Sequence, residues 1–449
     1  MTLYSALRGV LATALRVFFR EIAVVGDEQV PADGPLILAG NHPNSLIDPA
    51  LLVAVTPRQV RFAAKDVLFR SALLRPVLAG LGAVPIARKA DHAGANDNSD
   101  AFATLTNVLA GGGAMGIFPE GLSHDDAHLH ELKTGAARIA LQTALASGVR
   151  PMLVPVGLNY MRAKRFRSRV LVQFGAPVAI DDALLEQART DLFGAGRALT
   201  ANLDAGLRSL TINAADWPTL RVLDAVRRLY QPRGISFEAR VELARRFTTV
   251  YATIADKPEV AALFARVQAW LERLEAAGLR DRDLGRDWRP LELVGRSVGH
   301  LALLGLWLPL ALAGGVLHAP IGLAISFAGP LVSPRKDVVA TTKLLMGLLA
   351  MPAVAAAFVG AAWHWYGTGA AIAAAILMPI SGLATLRVLE RWLALQRLLT
   401  TSLRIFSLRR ELRELRTERD ELERQVVELV GRYKPADMVA LFPRDAVPQ

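Results

Sequence analysis

Leu36-Ile37-Leu38-Ala39-Gly40-Asn41-His42-Pro43-Asn44-Ser45-Leu46-Ile47-Asp48 decides how this chain is read. An unbroken apolar run stopped by Asn-His-Pro describes a strand buried on both faces that opens into a polar turn. A histidine in that turn, with an aspartate shortly after it, has the groups needed to take a proton from an alcohol. Two later blocks have the same form, Gly82-Ala83-Val84-Pro85-Ile86-Ala87-Arg88 and Gly116-Ile117-Phe118-Pro119-Glu120-Gly121. Further short apolar runs at 153–157 and 170–174 alternate with helical periodicity, which predicts an α/β unit over residues 31–180. The candidate blocks stand at or just after strand ends, where the ligand sites of α/β folds collect.

Outward from that unit the text changes. Residues 1–30 mix apolar positions with Arg8, Arg16 and Arg20, which predicts an amphipathic helix at a membrane interface rather than a cleaved leader. A soluble helix packed on the core fits the same pattern. Over 181–296 strand signals fade and a helical domain is expected, with Trp217-Pro218 and Gln231-Pro232-Arg233-Gly234 as breaks. Residues 297–386 hold two long apolar blocks, each interrupted near its middle, at His318-Ala319-Pro320 and at Tyr366-Gly367-Thr368-Gly369. Each block exceeds the roughly 20 residues of one crossing, so two transmembrane hairpins are expected, the first of them short enough to be re-entrant. Arg286, Arg289 and Arg296, then Arg335, Lys336 and Lys343, then Arg387 and Arg391 flank the blocks, which puts all three flanks on the cytoplasmic side. Residues 387–433 form a charged helix with Leu408, Leu412, Leu415, Leu422, Val426 and Leu429 at heptad spacing and Arg419 as the exception. Its apolar seam serves either a parallel homodimer or a fold-back onto its own chain, and 434–449 is a tail.

Composition limits the chemistry. The 449 residues contain no cysteine, which excludes disulfides, thiol catalysis and thiolate metal sites. The net charge of +11 beside 52% hydrophobic residues points to an anionic lipid surface. Nucleic acid is a poor fit, because aromatic residues are 6% of the chain and no recognition motif accompanies the charge. The run His124-Asp125-Asp126-Ala127-His128-Leu129-His130 has no established ligand spacing and no distant ligand group, so no metal site is expected.

Forming an ester from a thioester requires a base for the attacking hydroxyl, a holder for that base, and donors for an anionic acceptor. His42 and Asp48 supply the first two. Arg88 offers the bidentate geometry a phosphate accepts, Lys65 and Lys133 can add charge, and Glu120 is expected either to bond an acceptor hydroxyl or to hold the basic groups. Gly121 lets the backbone turn closely past a substrate.

These blocks resemble the glycerolipid acyltransferase family, whose four motifs stand here as His42 with Asp48, Gly82 to Arg88, Phe118 to Gly121, and Val154-Pro155-Val156-Gly157. The resemblance implies an α/β acyltransferase domain in which the histidine is the base. It further implies that the second and third blocks bind glycerol phosphate, that a CoA or acyl-carrier thioester is the donor, and that no cofactor is needed. Two departures stand out: five residues rather than four separate His42 from Asp48, and Leu122-Ser123-His124-Asp125 replaces the family's Thr-Arg-Ser. Ser123-His124-Asp125 and Leu132-Lys133-Thr134-Gly135 are similar to fungal glycerol-3-phosphate/dihydroxyacetone-phosphate acyltransferases, which adds Ser123 and strengthens Lys133 as substrate-binding candidates. The chain is therefore expected to be an inner-membrane enzyme facing the cytoplasm that acylates glycerol 3-phosphate or dihydroxyacetone phosphate. Acylation of 1-acylglycerol 3-phosphate or another lysophospholipid is the nearest alternative, and a non-catalytic membrane-tethered lipid-binding scaffold is the alternative of another class.

Overall fold

The computed structural model describes residues 2–72, 74–86, 99–232, 234–284 and 290–442. They fall into two compact units. The first comprises Met1–Trp217, Ser236–Arg245 and Ser333–Leu344; the second comprises Pro218–Ile235, Arg246–Val332 and Leu345–Gln449.

The first unit is built on a seven-stranded sheet: β1 (Phe19–Val25), β2 (Leu36–Gly40), β3 (Val60–Lys65), β4 (Val84–Ile86), β5 (Ala114–Ile117), β6 (Met152–Tyr160) and β7 (Ser168–Phe174). The order is β1-β7-β6-β2-β5-β3-β4, and every pairing is parallel except β6 with β7. All of β2 is buried, as its unbroken apolar run requires of a central parallel strand. Its residues alternate between two cores. Leu36 and Leu38 join Leu51 and Leu52 of α2 (Ile47–Val55) and Leu15 of α1 (Leu3–Phe18) on one face. Ile37 and Ala39 join α4 (Ser99–Ala110), α5 (Gly135–Ser147) and α7 (Leu192–Arg208) on the other. The helix α3 (Leu74–Gly80) lies between β3 and β4 in the chain, and α6 (Asp182–Thr190) precedes α7.

Three expectations change here. Residues 1–30 are a helix followed directly by the edge strand β1, and α1 packs against α2. Arg8 Nε donates to the carbonyl of Val53 at 3.2 Å, so this arginine satisfies a helix C-terminus instead of reaching for a headgroup. Leu3 and Val10 remain exposed on the other side of α1. The helical domain does not begin at 181, because Leu199, Leu203 and Leu207 of α7 recur every four residues and are fully buried in the sheet's second core. The segment Ser333–Leu344, expected as the basic flank between the membrane blocks, belongs to this unit, with Ala340 fully buried among residues of β2, α2 and β6.

The second unit is helical. It holds most of α8 (Trp217–Tyr230), the end of α9 (Phe237–Ile254), then α10 (Pro258–Ala276), α11 (Asp281–Leu284), α12 (Pro290–Val332), most of α13 (Val339–Ser407) and α14 (Arg409–Tyr433). Three stretches, Glu292–Leu312, Gly314–Val332 and Lys336–Ser407, are long and apolar enough to cross a bilayer, with mean hydropathies of 1.4, 1.6 and 2.1. Many of their large apolar side chains face outward, Val316 being 76% and Phe327 73% exposed, which in a soluble unit would be a costly apolar surface. The helix α12 continues through His318-Ala319-Pro320, where a turn was expected, with Pro309, Pro320 and Pro330 inside it. Proline in a long apolar helix removes one backbone bond and bends the helix without ending it. Within α13 the backbone does leave helical geometry at Gly367, at φ 82 and ψ −176, inside the second expected break.

The seam of α14 is used within the chain. Leu412, Leu415, Leu422 and Val426 are buried, α14 packs on α10 and α11, and Arg273 Nη1 bonds Glu418 Oε2 at 2.6 Å. Arg419, the heptad exception, bonds Asp281 Oδ1 of α11 at 2.8 Å and Glu423 Oε2 at 2.9 Å. Of the two readings of this helix, the fold-back onto its own chain is the arrangement the described residues take. Leu422→Asp should destabilise the second unit by about 3 kcal/mol or more, since it buries an unpaired charge where Leu422 is 0% exposed. Val427→Asp, at a position 39% exposed, should change the thermal unfolding midpoint little.

Candidate active site

The carboxyl ends of β2, β5 and β6 meet around His42. In the turn after β2 the imidazole Nδ1 lies 2.8 Å from Asp48 Oδ2. Asp48 is fully buried at the start of α2, and its carboxylate also accepts from the backbone N–H of Asn44 at 2.7 Å and from the Tyr160 hydroxyl, at the end of β6, at 2.5 Å. Burial raises the Asp48 pKa, and its bonds to His42, Tyr160 and Asn44 oppose that rise. Burial and the neighbouring Asp48 charge push the Tyr160 hydroxyl well above its ordinary value, so it stays a proton donor to the carboxylate. With Nδ1 committed to Asp48, the Nε2 of His42 makes no hydrogen bond among the described residues, and the side chain is 11% exposed. The ring stacks on Phe118 with centroids 4.1 Å apart, which fixes its plane.

The extra residue between His42 and Asp48 is absorbed at Ser45, whose φ of 49 is in the left-handed region. Turn bonds from Ile47 N to Asn44 O at 3.1 Å and from Asp48 N to Ser45 O at 3.3 Å close the loop there. The pair therefore forms despite the unusual spacing.

Glu120 ties the third block to the first. It is 2% exposed, and both of its oxygens are taken: Oε1 accepts the His42 backbone N–H at 2.7 Å, and Oε2 accepts the His130 N–H at 2.8 Å and lies 2.5 Å from His124 Nε2. Burial opposes ionisation of Glu120, but these donors outweigh it and hold its pKa below the ordinary carboxylate value. Burial likewise opposes the charged form of His124, and Glu120, Asp126 and Asp337 outweigh it to raise that pKa. Of the two roles expected for Glu120, holding the site together is the one its geometry supports, since both oxygens already accept from within the chain.

The remaining predicted residues separate. Gly121 has φ +74, the left-handed region that favours glycine, and the exposed Lys133 side chain lies over this turn. Lys65 ends β3, on the same edge of the sheet as His42. Arg88 lies outside the described residues. Ser123 is buried and not presented to a ligand: its Oγ donates to Asp337 Oδ2 at 2.6 Å and accepts from Arg335 Nη2 at 2.9 Å. Sequence reasoning missed Tyr160, which was within reach, since it ends the same strand as the fourth block; it named His124 and the basic residues of Ser333–Leu344 without placing them against His42 and Glu120.

The side chains of His124, Asp126 and His130 have ligand atoms within 4.8 Å of one another. In this arrangement they bond among themselves and to Glu120, His130 Nε2 to Asp126 Oδ2 at 2.8 Å and His124 to Glu120, with the two rings stacked at 3.7 Å.

The sequence matches the Acyltransferase family over residues 21–159 and the Glycerol-3-phosphate acyltransferase 2 C-terminal domain over 222–330 and 331–438. It is 30% identical to glycerol-3-phosphate O-acyltransferase 2 of Saccharomyces cerevisiae over 57% of this chain and 37% of that protein. It is 26% identical to an uncharacterized acyltransferase of Schizosaccharomyces pombe over 77% of this chain and 66% of that one. With glycerol-3-phosphate O-acyltransferase 1 of Saccharomyces cerevisiae the identity is 25%, over 77% of this chain and 59% of its relative. The chain thus spans between 37% and 66% of the length of these relatives.

Proposed function

The chain belongs to the glycerolipid acyltransferase family, on the branch that carries the fungal-type C-terminal domain, and from that premise we propose that it moves a fatty acyl group from a CoA or acyl-carrier thioester to a hydroxyl of glycerol 3-phosphate or dihydroxyacetone phosphate. The observation that carries this reading is the His42 ring, fixed at Nδ1 by buried Asp48 and open at Nε2. An acceptor hydroxyl gives its proton to Nε2 as its oxygen attacks the thioester carbonyl. Asp48, itself held by Tyr160 and Asn44, stabilises the imidazolium. Collapse of the tetrahedral adduct breaks the carbon–sulfur bond, and the leaving thiolate takes the proton back from His42. The ester and free thiol result, and the imidazole is regenerated.

In this reading the apolar helices anchor the enzyme in an inner membrane with the His42 unit toward the cytoplasm, an orientation supported by Arg296, Arg387 and Arg391 beside the apolar blocks. The deciding experiment is an assay of the detergent-solubilised chain with paired acyl-CoA and acyl-carrier donors against glycerol 3-phosphate, dihydroxyacetone phosphate and 1-acylglycerol 3-phosphate. Thiol release with a glycerol phosphate is expected. Faster turnover of the lysophospholipid would reassign the acceptor, and no thiol release with any pair would leave a lipid-binding scaffold in place of an enzyme.

A further inference from the structure

The segment Ser333–Leu344 reaches the candidate site from three sides. Thr341 Oγ1 accepts the backbone N–H of Leu46 at 3.2 Å, inside the turn that holds His42 and Asp48. Asp337 accepts from Ser123, in the third block beside His124, whose backbone N–H is 3.3 Å from the carbonyl of His42. Lys343 Nζ donates to the carbonyl of Lys164 at 3.2 Å, next to Ala163, whose carbonyl accepts from Asn44 Nδ2 at 3.3 Å. Asp337 and Thr341 are each 4% exposed, so these attachments are interior ones.

The segment also carries cations with binding capacity left over. The half-buried Lys343 has one recorded partner among the described residues, a neutral carbonyl, and no carboxylate. An ammonium withdrawn from water in that way favours an anion beside it. Arg335 is fixed through Nη2 alone, to Ser123 at 2.9 Å and Asp337 at 2.7 Å, while Nε and Nη1 have no recorded partner and the side chain is 48% exposed. A guanidinium fixed at one corner keeps the rest of its fork for a planar or tetrahedral anion. Asp337 balances Arg335, which leaves the half-buried Lys343 and the exposed Lys336 as the charges in excess.

We propose that Ser333–Leu344 supplies the cationic side of the acyl-acceptor site, with Lys343 and Arg335 binding the acceptor's phosphate. This deepens the acyltransferase reading and rests on it. The test compares the full-length detergent-solubilised parent with Lys343→Met, Arg335→Met and Lys343→Arg. Each is assayed for acyl transfer to glycerol 3-phosphate and to unphosphorylated glycerol, and each is titrated calorimetrically with glycerol 3-phosphate in the absence of donor. In the two methionine variants the KM and Kd for glycerol 3-phosphate should rise about 10- to 100-fold, the worth of one charge-assisted hydrogen bond. The rate with glycerol and the KM for the donor should hold, and Lys343→Arg should recover most of the loss. Equal losses with both acceptors, or unchanged binding, would overturn the assignment. A parent that binds glycerol 3-phosphate but acylates nothing would defeat the enzymatic reading alone, with the variants still deciding the phosphate site by titration.

Discussion

His42→Ala is expected to lower kcat for acyl transfer by about 10³-fold or more, toward the upper range for loss of a positioned general base. The acceptor's KM should change little, because the imidazole acts on the proton in transit and not on the phosphate. The substitution leaves Asp48 with Tyr160 and Asn44 as donors, so its carboxylate retains two of its three bonds and the backbone bonds of the turn are untouched. A thermal midpoint near that of the parent would separate lost chemistry from lost structure. Activity within threefold of the parent would remove His42 from the mechanism.

The second large effect is structural. Glu120→Ala strips the partner from the His124 ring and from the backbone N–H groups of His42 and His130, all three drawn to one buried carboxylate. A loss of about 3–5 kcal/mol of stability is expected for removing one member of such a buried charged set. Activity should fall with it, since the backbone of His42 itself is released. The pH dependence has a definite sign. Glu120, depressed in the folded chain, contributes stability above its unfolded value, and this is lost as pH falls through the folded pKa. His124, raised in the folded chain, contributes stability below its unfolded value, and this is lost as pH rises through the folded pKa. Their joint contribution is therefore greatest between the ordinary values of 4.5 and 6.5. Melting midpoints taken across that window should show a maximum in the parent that is flattened in Glu120→Gln; parallel curves for the two proteins would show that the pair does not couple to folding.

Much of the first unit was legible in the sequence because the signals there are local. The apolar run of β2, the polar stop at Asn41-His42, and the matching end of β5 announce strands and a site at their carboxyl ends. The strands β1 and β3 were not legible: Arg20 and Glu21 interrupt the first, at the edge of the sheet where such residues cost little, and Arg61 and Lys65 interrupt the second. The His42–Asp48 pair could be read from six positions of text. The partners that finish it could not, since Tyr160 lies 112 residues from Asp48 and Asp337 lies 214 from Ser123. No periodicity spans such separations. Nor could sequence distinguish a carboxylate that meets substrate from one, like Glu120, whose two oxygens both accept from the chain itself.

Ser333–Leu344 has a bearing on how the protein is made. A ribosome delivers the sheet, the turn after β2 and the Phe-Pro-Glu-Gly block long before it delivers Thr341 and Ala340, and the whole of α12 emerges in between. The nascent unit must wait, its Leu46 amide and Ser123 hydroxyl without their final partners, until one apolar helix has left the exit tunnel. Completion of the first unit is thereby timed to follow the first hydrophobic segment, and an excised fragment ending at Trp217 would be born missing a piece of its own interior.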